Sequence, residues 1–128
     1  MNRLVIVLSA VLCLTVACTD NSTSPSTGTT DTFSGTLVQG AQNSFPFTVT
    51  TAGTVTVTVT SLNPASTVGL GIGTLSGTTC VATSQNAAAQ QAGAVSMAVT
   101  TAGTYCALVY DSGSVTQNVV YAISVAHP

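Results

Sequence analysis

Hydrophobic residues recur at every second position along most of the chain. Phe45, Phe47 and Val49 alternate with polar residues and Pro46, and Val55, Val57 and Val59 alternate with Thr54, Thr56, Thr58 and Thr60. Val68, Leu70 and Ile72 alternate with glycines. The same rhythm returns in Val95-x-Met97-x-Val99, in Tyr105-x-Ala107-x-Val109 and in Val119-x-Tyr121-x-Ile123-x-Val125. A period of two puts successive side chains on opposite faces of an extended strand. With shorter runs at residues 33–37 and 80–83, the pattern predicts about eight strands. Gly40, Asn63-Pro64, Gly77, Gly93 and Asp111-Ser112-Gly113 supply the turns between them. Residues 86–92 alone leave room for a helical turn. One apolar face per strand calls for two antiparallel sheets packed face to face, an all-β sandwich.

One phrase occurs twice. Val49-Thr50-Thr51-Ala52-Gly53-Thr54 returns as Val99-Thr100-Thr101-Ala102-Gly103-Thr104. Each copy closes one strand and opens the next, and its glycine suits a tight turn. The expectation is two equivalent hairpins in a pseudo-symmetric sandwich. Two copies fall short of a solenoid, which needs at least three.

The N-terminal segment has a different pattern. Met1-Asn2-Arg3 forms a short basic region, and residues 4–17 are mostly Leu, Val, Ile and Ala. That is the length of a signal-peptide core and too short to span a bilayer, which takes about 20 apolar residues. The segment ends in Leu14-Thr15-Val16-Ala17-Cys18, which resembles a bacterial lipoprotein lipobox with Thr15 in place of the commoner Leu or Val. The resemblance implies removal of residues 1–17 and lipidation of Cys18. Several acyl chains there, at about 0.8 kcal/mol per buried methylene, would hold the protein to a membrane. Thr19 is not the Asp linked to inner-membrane retention, so the expected position is the outer membrane or cell surface. An ordinary secretory signal is the other reading. Residues 18–32 are Ser, Thr, Asp, Asn, Pro and Gly after the cysteine, the composition of a flexible tether. The sandwich domain is expected at residues 33–128.

Charge narrows the functions available. The chain has one basic side chain besides its single His, Arg3, and three acidic ones, Asp20, Asp31 and Asp111, for a net charge of −2. A chain with one Arg and no Lys has no means of neutralising phosphates, which excludes nucleic acid as a partner. A hydrolytic triad needs a nucleophile, a base and an orienting acid. Here the sole imidazole is His127, next to the last residue and expected to fray. Asp111 is the one carboxylate expected inside the domain, and a glycosidase needs two. Gly69-x-Gly71-x-Gly73 lacks the Lys and the helix of a phosphate loop. No enzyme, no cofactor and no metal site is expected.

The cysteines divide by position. Cys13 lies in the signal segment and Cys18 is the lipidation candidate. Cys80 and Cys106 remain for the exported domain, where oxidation is the rule. A disulfide between them would close a loop worth about 3.5 kcal/mol. The alternative is a metal site, for which two thiols without nearby His or carboxylate supply too few ligands. By alternation with Tyr105 and Ala107, Cys106 faces away from the core, so the bridge is expected on an outer surface.

The sequence Gly103-Thr104-Tyr105-Cys106-Ala107-Leu108-Val109-Tyr110-Asp111, followed by Tyr121-Ala122-Ile123-Ser124-Val125, resembles the end of the bacterial pre-peptidase C-terminal (PPC) domain. Ser44-Phe45-Pro46-Phe47-Thr48-Val49 and Gly53-Thr54-Val55-Thr56-Val57 resemble its opening strands. The resemblance covers roughly residues 32–126. It implies a jelly-roll-like accessory domain of secreted proteins without catalysis of its own. Many members carry carboxylates in a middle strand where this chain has Ser66-Thr67-Val68-Gly69-Leu70, so the resemblance carries no calcium role to that stretch.

Two functions from different classes remain. The first is a lipid-anchored envelope module with a structural, adhesion or protein-interaction role, meeting an envelope protein or polysaccharide. The second is a glycan or small-ligand binder using a loop-end site near Tyr110 and residues 86–91. Tyr110 is the aromatic side chain out of phase with the core. A packing role for it between strands is the simpler alternative. The row Thr54, Thr56, Thr58 and Thr60 reads first as a strand-forming, uncharged wet surface. The edges of such a sandwich have no Lys to guard them, although Pro46 would protect one.

Overall fold

A computed structural model describes residues 28–128. The signal segment 1–17, Cys13, the lipidation candidate Cys18 and most of the tether lie outside the described residues. Eight strands follow: β1 Thr29–Leu37, β2 Gln42–Val49, β3 Gly53–Asn63, β4 Val68–Ser76, β5 Thr79–Ala89, β6 Ala94–Val99, β7 Gly103–Tyr110 and β8 Val119–His127. They form two four-stranded antiparallel sheets, sheet A in the order β1-β8-β3-β6 and sheet B in the order β2-β7-β4-β5. This is the strand order of a jelly roll, two interleaved Greek keys. Among the described residues no helix is long and apolar enough to cross a membrane.

The core is what the alternation predicts. Val55, Val57 and Val59 from β3, Leu70 and Ile72 from β4, and Tyr121, Ile123 and Val125 from β8 are all almost fully buried between the sheets. Phe33 stacks on Phe45 at 4.8 Å and Phe45 meets the edge of Tyr121 at 6.3 Å, which joins the two sheets along one side. Burial of this kind contributes about 1.5–3 kcal/mol per large side chain and is the main term holding the domain.

The repeated phrase does not make hairpins. β2 belongs to sheet B and β3 to sheet A, so Thr50-Thr51-Ala52 crosses from one sheet to the other, and Thr100-Thr101-Ala102 crosses between β6 and β7 in the same way. A strand leading to its neighbour and a strand leading to the facing sheet, about 10 Å away, bury the same alternate residues. Alternation therefore cannot distinguish the two. The symmetry itself is more extensive than the phrase. Advancing every strand by four turns β1-β8-β3-β6 into β5-β4-β7-β2, which is sheet B read backwards. The two crossings lie side by side about this pseudo-dyad: Val49 pairs with Gly103 in sheet B and Gly53 with Val99 in sheet A.

Three further expectations change. Residues 86–89 continue β5 instead of forming a helical turn, because Asn86 and Ala89 pair with Leu70 and Val68. β1 starts at Thr29, four residues before the expected boundary at residue 33, since the ladder with β8 is made by backbone groups and needs no apolar side chain. His127 is not frayed: it is 6% exposed, closes that ladder opposite Thr29 and stacks on Phe47 at 5.2 Å.

Candidate functional site

Pairing of Thr29 with His127 puts the first strand's start and the last strand's finish at one end of the sandwich, together with the two repeated crossings and the β4–β5 turn. The remaining four connections, residues 38–41, 64–67, 90–93 and 111–118, lie at the other end. They associate in two pairs.

Asp111 organises the first pair. Its Oδ2 accepts the Gly40 N–H at 2.8 Å, and its Oδ1 accepts from Gly113 at 2.7 Å and Val115 at 3.1 Å. Its own N–H donates to the Ala41 carbonyl at 2.9 Å. The Gly40 hydrogen bond first, then those of Val115 and Gly113, hold the carboxyl below its usual value of 3.8, because each favours the ionised form. Asp at a turn start was legible in the sequence; the grip on the β1–β2 loop, 71 residues away, was not.

The second pair frames an open hollow of 340 Å³ lined by Leu62, Ala65, Ser66, Thr67, Gln90 and Gln91. The Ser66 hydroxyl donates to the Pro64 carbonyl at 3.0 Å and the Gln90 amide reaches Thr67 Oγ1 at 3.4 Å. The β5–β6 loop is fixed against β3: Ala92 donates to the Val59 carbonyl at 2.8 Å, and Val59 donates to the Gly93 carbonyl at 2.9 Å. An uncharged rim of hydroxyls and amides over an apolar floor suits contact with a neutral, hydrogen-bonding surface.

Tyr110 is not part of this hollow. It extends from the outer face of sheet B, its ring lying over Gly69 and its hydroxyl donating to Gln85 Oε1 at 3.0 Å. A Cβ on Gly69 would occupy the space of that ring, and one on Gly71 would press on Ala82 and Leu108. Gly69 and Gly71 thus form a flat seat for a second, outer apolar layer, whereas a Cβ on Gly73 would run into the Val81 backbone of β5. That layer contains Cys80, Cys106 and Leu108, with Leu75, Ala82 and Tyr110 packed against them. Cys80 and Cys106 are joined with an S–S distance of 1.95 Å. Cys106 does face away from the main core, and the outer layer buries it completely. Alternation gives the face of a side chain; it does not say what covers that face.

The titratable side chains are dispersed. His127 Nε2 lies 3.0 Å from Asp31 Oδ2 at the strand-terminal end, and Asp111 is at the opposite end. Asp31, expected in the tether, is therefore a second carboxylate of the domain but does not pair with the first. Among the described residues no three His, Cys, Asp or Glu side chains converge in a way that could hold a metal. On the outer face of sheet A, Thr54, Thr56 and Thr58 form a partly exposed row, with Thr56 Oγ1 hydrogen-bonded to Ser96 Oγ at 2.9 Å.

No protein-family model matches the chain, so the PPC resemblance rests on its short motifs alone. No curated protein matches it in sequence. Among solved structures the chain is similar to PliG of Aeromonas hydrophila, a periplasmic lysozyme inhibitor of g-type lysozyme. The TM-score is 0.54 at 16% identity, over 78% of this chain and 87% of that one. At that identity the likeness shows a shared fold.

Proposed function

We propose that this chain is an exported, lipid-tethered envelope protein whose jelly-roll domain binds another protein through the loops at residues 38–41, 64–67, 90–93 and 111–118. The observation that carries this is the separation of ends. The tether from Cys18 enters at Thr29, beside the last strand's finish, and all four of these loops lie at the far end. A domain held at one end presents the other. Loops fixed by Asp111 and by the Val59 hydrogen bonds start ordered, so binding costs less conformational entropy.

Three observations support the reading. The Cys80–Cys106 bridge fits an oxidising compartment. The lipobox-like Leu14-Thr15-Val16-Ala17-Cys18 supplies the anchor. The fold is one that a periplasmic protein uses to inhibit an enzyme, which makes a peptidoglycan-cleaving enzyme of that class the first partner to try. A glycan site at Tyr110 is the weaker reading, since the Tyr110 hydroxyl and ring already serve Gln85 and Gly69.

The test is site-specific photo-crosslinking in the producing cell. A photoreactive side chain at Thr67 should give a discrete protein adduct, and one at Thr101 should not. Adducts from Thr101 alone, or from neither position with the protein present at the envelope, would overturn the loop-end assignment.

A further inference from the structure

Sheet A ends in β1 and β6, and sheet B in β2 and β5. An open edge carries unpaired N–H and C=O groups that accept another strand unless something blunts it. Three of these four edges are blunted. β6 has six residues, and side chains from the facing sheet take its carbonyls: Asn86 Nδ2 donates to Ala94 at 3.1 Å and Ser84 Oγ to Ser96 at 2.9 Å. β2 contains Pro46, which has no N–H to offer. β5 is bent by two register shifts against β4.

β1 has none of these devices along most of its length. It pairs with β8 over nine residues without a register shift and contains neither Pro nor Lys. The Thr36 carbonyl accepts Asn43 Nδ2 at 3.1 Å, which shows that the backbone groups of Thr36 point away from β8 and caps that end of the edge. Backbone direction alternates along an antiparallel strand, so the N–H and C=O of Ser34, Thr32 and Thr30 point outward too. All three residues are exposed, and among the described residues no strand pairs with that side of β1.

We propose that β1 is a self-association edge, on which two copies of this chain join β1 to β1 in antiparallel fashion about a dyad at Thr32. Thr30 then faces Ser34 of the second copy and Thr32 faces its own counterpart, giving about six backbone hydrogen bonds and one continuous eight-stranded sheet. The occupant is a second copy because the edge is complementary to itself. Its outward residues are small and uncharged, with no charge or pocket to select a foreign sequence. The one charge on the strand, Asp31, is engaged by His127 and falls opposite Phe33 of the second copy, not opposite another Asp31.

Sedimentation of the exported chain carrying Cys18→Ser, from micromolar to millimolar concentration, is the test. The mean mass should rise toward twice the monomer value. Thr32→Pro removes an outward N–H that β8 does not use, and Thr32→Asp sets two like charges opposite each other at the dyad. Either variant should hold the mass at that of the monomer, with thermal melting within a few degrees of the parent. Thr56→Lys, on the outer face of sheet A and away from β1, should leave the dimer intact. A parent that stays monomeric throughout, or a dimer that survives in whichever Thr32 variant is folded, would overturn the proposal.

Discussion

His127 Nε2 and Asp31 Oδ2 lie 3.0 Å apart, and through them the last strand holds the first near its start. The imidazole is buried while the carboxylate is 41% exposed, so the stacking of His127 on Phe47 contributes more than the polar contact with Asp31. His127→Ala should cost about 2 kcal/mol, as loss of a buried ring. Asp31→Asn keeps a hydrogen-bonding oxygen at a partly solvated site and should cost less than about 1 kcal/mol. Denaturant midpoints of the two variants would rank them, and equal losses would show that the contact with Asp31 dominates.

The disulfide should be a large share of the stability. Cys80 and Cys106 are 26 residues apart and sit in a small outer layer with Leu108. Reduction, or the double change Cys80→Ala and Cys106→Ala, should cost about 3.5 kcal/mol. Melting with and without reductant measures this directly. An unchanged transition in verified free-thiol protein would show that the outer layer holds without its link.

Gly69 and Tyr110 should show strong coupling. Gly69→Ala places a methyl group where the Tyr110 ring lies and should destabilise by about 1–3 kcal/mol. In a Tyr110→Ala background the same change meets no ring and should cost little. A double-mutant cycle would therefore give a large non-additive value, whereas additive losses would separate the two residues.

Asp111 predicts a pH dependence with a definite sign. Its folded pKa is below the usual 3.8, so the stability it contributes is present above that value. This stability is lost as pH falls from 3.8 through the lower folded pKa. Asp111→Asn should be less stable than the parent at neutral pH, and the gap should close in acid. Titrated melting curves that stay parallel down to low pH would contradict this.

Much of the fold was legible because its signal is local. Phe45 to Val49 and Val55 to Val59 show their inward faces in five residues each, and six of the eight strands follow from such runs, with β1 and β5 marked only by the shorter runs at 33–37 and 80–83. What joins them was not legible. Thr50-Thr51-Ala52-Gly53 serves equally as a hairpin or as a crossing to the other sheet, and the choice depends on partners fifty residues away. The start of β1 was missed because Thr29 to Thr32 have no apolar signal and are ordered by β8. His127 appeared free for the same reason. Of the candidate site, Asp111 stood out as turn chemistry and residues 86–91 as part of a loop-end site, but the convergence of these loops into pairs comes only from the folded chain. Tyr110 was singled out as exposed; the glycines that seat it were visible, yet nothing local tied them to it.

Whether the domain is tethered by lipid depends on what the mature chain is. Its intact mass, measured without reductant from the membrane fraction of the producing cell, addresses this in one spectrum. A lipid-tethered domain gives a chain beginning at an acylated Cys18 and lighter by two hydrogens for the Cys80–Cys106 link. A soluble chain beginning elsewhere, with Cys18 unmodified or removed, would contradict it.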